Sequence, residues 1–448
     1  MLRKNKMRKK EKNIIRNERE NLAAVHTSSF NEQIKNESAI TLVALVVTII
    51  VLIILAGISI SLVIGNNGIM QKAVKGREDY IGAAINEQLD LNKIEDYIED
   101  NTSNEVRIER VKGGNYFEAP TTVKDTNGNL IKVPQGFKIA QDSGLNVTEG
   151  IVIEDNDIKE GIGNNRGNQY VWVPVGNGIK KSDGTPVYIT LGRYTFANGT
   201  SDKDSNGNVL AKGTPILKQD AANYTQEVEI TGEFEEYKYK ELSISRAGVA
   251  SGGADGLNTT ALNLKGFVDS VKANGGYYIA RYEASYGTDG KANSKVSNFY
   301  SDSKNDKITR EGQLWNNITQ INAATASRNL YTTINSDLIN SYAWDTAIVY
   351  IQNFSGDTDY SQQPSLNWKL TNTGVNNREK CKINDMESNT LEWTTEYCTL
   401  ILNSYAYPCS VRGGSYADNG RTCTSSRSFY NYDLSISVCT SFRCALYM

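Results

Sequence analysis

The chain has 448 residues and a formal net charge of −3. That length allows two or more domains and a sizeable core, and the near-neutral balance carries no nucleic-acid signature. The one histidine, His26, precedes a hydrophobic segment, so a Ser-His-Asp triad, a Cys-His pair and His-ligated zinc are excluded from everything after it.

The chain opens with a basic leader, residues 1–39, carrying Arg3, Lys4, Lys6, Arg8, Lys9, Lys10, Lys12, Arg16, Arg19 and Lys35. Residues 40–64 follow as ITLVALVVTIIVLIILAGISISLVI, 25 residues without a charge. About 20 apolar residues suffice for a membrane span. Basic residues on the N-terminal side predict a cytoplasmic N-terminus with the remainder outside. A secretory signal peptide is the alternative, but its apolar core is shorter and ends at a small-residue cleavage site. Beyond it, Ile69, Ala73, Tyr80, Ala84, Ile85, Leu89, Leu91, Ile94 and Ile98 form a roughly helical apolar stripe. The expectation is therefore a helix over 40–100 that leaves the membrane and continues.

This N-terminal pattern resembles that of a type IV pilin or pseudopilin, over roughly residues 35–100. The resemblance implies processing between Ala39 and Ile40 and packing against other pilin subunits in a filament. Ala44 departs from the family, which usually has Glu at this fifth mature position and relies on it for polymerisation. A plain single-span anchor fits the same residues.

Residues 101–165 are rich in Gly, Asn and Asp and read as a stalk or small β-module, with DTNGNLIKV as a turn followed by a strand. NQYVWVPV (168–175) and VYITLGRYTF (187–196) read as strands, and 197–260 as a polar insertion. In GFVDSVKANGGYYIARYEAS, Phe267, Val268 and Val271 predict a short helix that stops at Gly275 and Gly276. A strand follows, with Tyr278, Ala280 and Tyr282 alternating with Tyr277, Ile279 and Arg281. AWDTAIVYIQNF places Trp344, Ala347, Ile348 and Ile351 on one helix face, as core. The six cysteines, at 381, 398, 409, 423, 439 and 444, contain no CxxC spacing, and sequence does not choose among their 15 pairings.

The order YVWVPV, GGYYIARYEAS, AWDTAIVYIQNF, NDMESNTLEWTTE, VRGGSY and SFRCAL resembles the formylglycine-generating-enzyme/sulfatase-modifying-factor domain, a C-type-lectin-like fold, over about 166–448. The fold class so implied is α+β: an N-terminal pilin-like transmembrane helix followed by a lectin-like domain. Arg412 and Arg443 then read as framework cations seeking buried carboxylates or carbonyls. Gly413 and Gly414 allow close backbone approach, and Trp393 is a core anchor. Many family members hold calcium before the Glu-Trp-Thr motif. Carried over, the side chains of Asp385 and Glu392 and the carbonyls of Ser388 and Thr390 are the calcium ligands. Asp385 replaces a typical Asn and keeps an oxygen, and Ser388 replaces a typical Gly.

Catalytic members of this family hold copper with two cysteines, and Cu(I) favours such soft thiolates. Here Cys423 falls on the second position and Asp418 on the first, so the pair is broken, no copper is expected and no catalytic residue is assigned. Other lectin-like proteins carry a terminal segment that a retroelement diversifies by mutating adenines. Residues 416–441 have that vocabulary: Tyr416, Ala417, Asp418, Asn419, Thr422, Ser425, Ser426, Ser428, Phe429, Tyr430, Asn431, Tyr432, Asp433, Ser435, Ser437 and Thr440. Tyrosine gives contact area at low entropy cost, and Ser and Asn give adaptable hydrogen bonds. An ordinary polar loop has the same composition. Around these residues stand fixed ones: Arg412, Gly413, Gly414, Ser415, Arg427, Phe442 and Arg443.

The sequence therefore leads to an expected single-pass bacterial membrane or pilus protein that binds an external protein or glycan through 416–441. A formylglycine-type oxidase and a purely structural minor pilin are the alternatives.

Overall fold

The computed structural model describes residues 44–56, parts of 72–91, 105–232, 237–241, 261–297, 311–365, 369–375, 378–399, 401–402, 405–406, 409–430 and 438–448. The chain divides into two units, residues 1–102 and 103–448.

In the first unit, residues 44–56 are helical. Among the described residues no helix is long and apolar enough to cross a membrane. This corrects the expected transmembrane helix. The single-pass location and the cytoplasmic N-terminus were inferred from that helix and fall with it. Ala39 and Ile40, the expected processing residues, lie outside the described residues.

The second unit corrects the α+β expectation as well: it is mostly β, with few helices. Its chain is punctuated by turns that end each strand after a few residues. The predicted DTNGNLIKV turn is one: Asp125 Oδ1 accepts from the amides of Asn127 (2.9 Å) and Asn129 (2.7 Å), and the strand Leu130–Val133 follows. The same Asp-x-Asn-Gly-Asn pattern recurs in the 197–260 segment, where Asp204 Oδ1 accepts from Asn206 (2.9 Å) and Asn208 (2.8 Å).

Two six-stranded sheets organise the unit. The first is antiparallel, in the order Asn335–Leu338, Cys444–Tyr447, Gly276–Ala280, Gln169–Pro174, Val152–Glu154 and Lys138–Ile139. Strands from the segment read as a stalk thus pair into the main sheet. In the second, Ile230–Thr231, Lys238–Lys240, Leu391–Cys398, Cys409–Arg412 and Arg427–Tyr430 lie side by side, with Thr440–Phe442 parallel to Leu391–Cys398. Strand register places Tyr278 opposite both Trp172 and Leu446.

The helix Leu264–Asn274 forms where its apolar spacing predicts. Asn263 caps it by accepting from the Gly266 amide, and Gly275 ends it at φ 73° in the left-handed region. The helix Ser341–Phe354, capped by Asn340, is buried along nearly its whole length, so its polar residues Asp345 and Thr346 are also inside. Trp393 is 1% exposed and donates from Nε1 to the Ile318 carbonyl at 2.9 Å. Replacing Trp393 with Ala should lower unfolding stability by about 3–5 kcal/mol through the cavity it leaves, measured as a lower urea midpoint.

Candidate ligand-binding face

A buried ionic network carries the C-terminal segment. Asp345, on the Ser341–Phe354 helix, receives Arg412 Nη2 on Oδ1 at 2.6 Å and Arg427 Nη2 on Oδ2 at 2.5 Å. Arg412 and Arg427 lie directly opposite each other on neighbouring strands. Like charges in that position repel, and the shared aspartate offsets the repulsion. Glu396 takes Arg427 Nε at 3.1 and 3.2 Å and Arg193 Nη2 at 2.7 Å. All five groups are essentially inaccessible to solvent. Burial alone would raise the Glu396 carboxyl, but the surrounding Arg427, Arg193 and Arg412 hold it down at about 2. Burial, together with the facing Arg427, pulls the Arg412 guanidinium below its ordinary value.

A second clamp lies beside the first. Arg443 grips both oxygens of Glu392 and donates to the carbonyls of Ala280 (3.1 Å) and Asn384 (2.9 Å). The Trp344 ring stands within cation–π reach of Arg412 (5.7 Å) and Arg443 (5.9 Å), and its Nε1 donates to the Thr424 carbonyl. The arginines predicted as framework are therefore framework, with carboxylate partners Asp345, Glu392 and Glu396.

The two glycines of the frame are needed for space. A Cβ on Gly413 would lie 2.6 Å from the Met386 carbonyl, at a φ of +76°. One on Gly414 would lie 2.7 Å from Ser365 Cβ and 2.8 Å from both the Glu387 carbonyl and Thr422 Oγ1. After them the chain turns outward. Asp418 Oδ2 accepts from the Ser415 amide at 2.6 Å and from Thr422 Oγ1 at 2.9 Å. The residue at the first cysteine position is thus a turn staple. Cys423 is half-buried, with its Sγ 3.4 Å from Ser426 Oγ and 3.5 Å from Ser425 Oγ.

Residues 420–427 form one wall of a groove of about 490 Å³. The other walls are Thr195, Phe196 and Asn198, then Thr231 and Gly232, then Gln362 and Pro364. Of the predicted contact residues, Thr422, Ser425 and Ser426 line this groove. Tyr416, Asp418, Thr422, Ser425, Ser428, Phe429 and Tyr430 are half-buried, and Ala417 and Asn419 are exposed.

Ser426 is 7% exposed, and two further predicted residues turn inward. Thr440 is 1% exposed and pairs with Leu391 in the second sheet. The Tyr430 ring packs edge-on against Trp393 at 5.7 Å, and burial raises its pKa. Phe429 packs on Tyr237 at 4.5 Å. Asn431, Tyr432, Asp433, Ser435 and Ser437 lie outside the described residues.

The four residues carried over for calcium are all buried. Glu392 gives both oxygens to Arg443, and the Thr390 amide and hydroxyl donate to Glu283. Asp385 Oδ2 accepts from Thr373 and Gly374, while Oδ1 has no hydrogen-bond partner among the described residues. Burial pushes the Asp385 carboxyl up to about 6. Among the described residues no group of three His, Cys, Asp or Glu is placed to hold a metal. With Glu392 bound to Arg443, these residues do not make a calcium cage.

No family model matches the chain, so neither the sulfatase-modifying-factor nor the pilin resemblance has a family behind it. No curated protein matches it. Solved structures similar to it include the P3c and M1 variants of the Major Tropism Determinant, at 12% and 13% identity and TM-score 0.27 each. The I1 variant follows at 13% identity and TM-score 0.26. Each alignment covers 73% of this chain and 94% of the other. Likeness at that level leaves the functional reading to this chain's own geometry.

Two outcomes follow from the network. Asp345→Ala strands Arg412 and Arg427 in the interior and should cost about 3–5 kcal/mol of unfolding stability, read from urea denaturation. Glu396 titrates at about 2 in the folded chain against an ordinary 4.5. Its contribution is therefore complete above 4.5 and is lost as pH falls towards 2. Urea midpoints should drop over that interval, and Glu396→Gln, though less stable at neutral pH, should lose this part of the slope.

Proposed function

We propose that the protein binds an external protein or glycan ligand through the face built from residues 416–441, in a lectin-like binding role. One observation carries this reading: burial alternates along the C-terminal segment. Arg412, Gly413, Gly414, Ser415, Arg427, Phe442 and Arg443 are buried. Between them the chain comes to the surface with Tyr, Asn, Thr and Ser side chains and walls a groove. Side chains at such positions can change without disturbing the clamps beneath them, as a diversified binding segment requires. The retroelement-diversified reading belongs with it. Binding is favoured over cysteine oxidation because Asp418 is fixed by two hydrogen bonds inside a turn, and a carboxylate there cannot replace a thiolate for Cu(I).

The test is sequencing of the gene from many near-identical copies, with the neighbouring DNA. Substitutions should concentrate in 416–441 and spare 412–415, 427, 442 and 443. A nearby template repeat should differ from the gene only at adenines. Substitutions scattered evenly over the chain, with no such repeat, would remove the diversification reading.

A further inference from the structure

We infer that Lys295 and Asp157 form a covalent cross-link within the chain, an amide between the lysine Nζ and the aspartate Cγ. This goes beyond the binding reading and does not depend on it. The Lys295 side chain has no solvent exposure, and its Nζ donates twice to Asp157, to the backbone carbonyl and to Oδ2 at 3.0 Å. Lysine is almost never buried so completely without a task for its amine or a partner for its charge. Its stem passes beneath Gly163, where a Cβ would lie 2.8 Å from Lys295 Cβ at a φ of +60°. The glycine opens the path by which the stem reaches Asp157.

Both partners are held from behind. Asn168 Oδ1 accepts from the Ser294 amide at 2.9 Å, and Ser294 Oγ donates to the Gln169 carbonyl, which fixes the backbone next to Lys295. Asp155, itself buried, accepts on Oδ1 from the Asp157 amide at 3.0 Å and fixes the other side. Groups already pinned at about 3–3.5 Å need little further ordering to react.

The surroundings suit an amide-forming step. Burial would raise the Asp157 carboxyl, but Lys295 and Lys159 hold it below its ordinary value, so the pair starts as ammonium and carboxylate. Proton transfer between them gives an amine and an acid, which tolerate a dry site better than two charges do. The amine lone pair attacks Cγ and the Cγ–Oδ1 bond breaks. Nζ gives up two protons in all, and Oδ1 carries both away as water. Asn168 Nδ2 lies 3.5 Å from Asp157 Oδ2 and is anchored on Asp155 Oδ2 at 2.8 Å. It faces the oxygen on which negative charge builds during the attack. Lys159 Nζ stands 3.8 Å from Oδ1 and can pass a proton to the leaving oxygen, taking one back from Nζ. The Asp157 side chain is 40% exposed and lines a cavity of about 140 Å³, which gives the water its exit.

The bond joins residues 138 positions apart and encloses Gln169–Pro174 and Gly276–Ala280, two strands of the first sheet, in one covalent loop. A cross-link restrains the unfolded chain more strongly the longer the loop it closes. Such a brace lies outside 416–441 and would hold the domain whatever that segment carries.

The experiment is mass spectrometry of the full chain, intact and after protease digestion under denaturing conditions. The chain should weigh one water less than its sequence, and one branched peptide should carry Asp157 and Lys295 together. Lys295→Arg and Asp157→Ala should each restore the mass of their own sequence and release two linear peptides. A chain of full mass that yields two linear peptides overturns the inference, as does a branched peptide that survives either substitution. Loss of water without a branched peptide, as from a cyclised aspartate, overturns it too. The unsubstituted chain gives the deciding measurement, so a variant that fails to fold does not blunt the test.

Discussion

Arg193, Arg412 and Arg427 meet Asp345 and Glu396 in a space that excludes water. Such a network is a poor source of net stability, because desolvating five charges costs about as much as their attraction returns. What it supplies here is position. Asp345 ties two adjacent strands to the central helix at one point, and Glu396 ties the same pair to Arg193 on the strand Gly192–Phe196. Shifting either strand by one residue would leave a buried guanidinium without a carboxylate. Register in the second sheet is therefore set by charge as much as by apolar packing.

The outward loop inherits that rigidity. Gly413 and Gly414 hold it against the Met386 and Glu387 carbonyls, and Asp418 closes its first turn. Three groove walls come from distant parts of the chain, at 195–198, 231–232 and 362–364. The fourth comes from 420–427. A change in the fourth wall alters what the groove recognises while the other three keep its shape.

Much of this was legible from residue types. Helix and stop were readable at Phe267, Val268, Val271 and Gly275, because apolar spacing and glycine are local signals. Arg412 and Arg443 were readable as framework because an arginine in apolar surroundings demands partners. Which carboxylates answered them was not readable. Asp345 and Glu396 lie far away in sequence from the residues they hold, and no local pattern carries that distance. One hint was available: Glu392 and Glu396 sit close together on one strand, amid residues suited to burial. Two acids in such surroundings call for cations. The inward turn of Tyr430 and Thr440 was hidden too. A tyrosine reads alike in a paratope and in a core, and only the strand pairing separates them.

The strand Cys444–Tyr447 lies beyond the groove segment in the sequence, yet occupies an inner place in the first sheet, between Asn335–Leu338 and Gly276–Ala280. Synthesis reaches it only after every codon of 416–441 has been read. A premature stop or a frameshift inside that segment removes an interior strand, leaves Asn335–Leu338 without its partner and bares one edge of Gly276–Ala280. Such a product should be cleared by the cell's proteases as an unfolded chain. The fold therefore acts as a proofreader of its own most changeable stretch, admitting substitutions and discarding truncations.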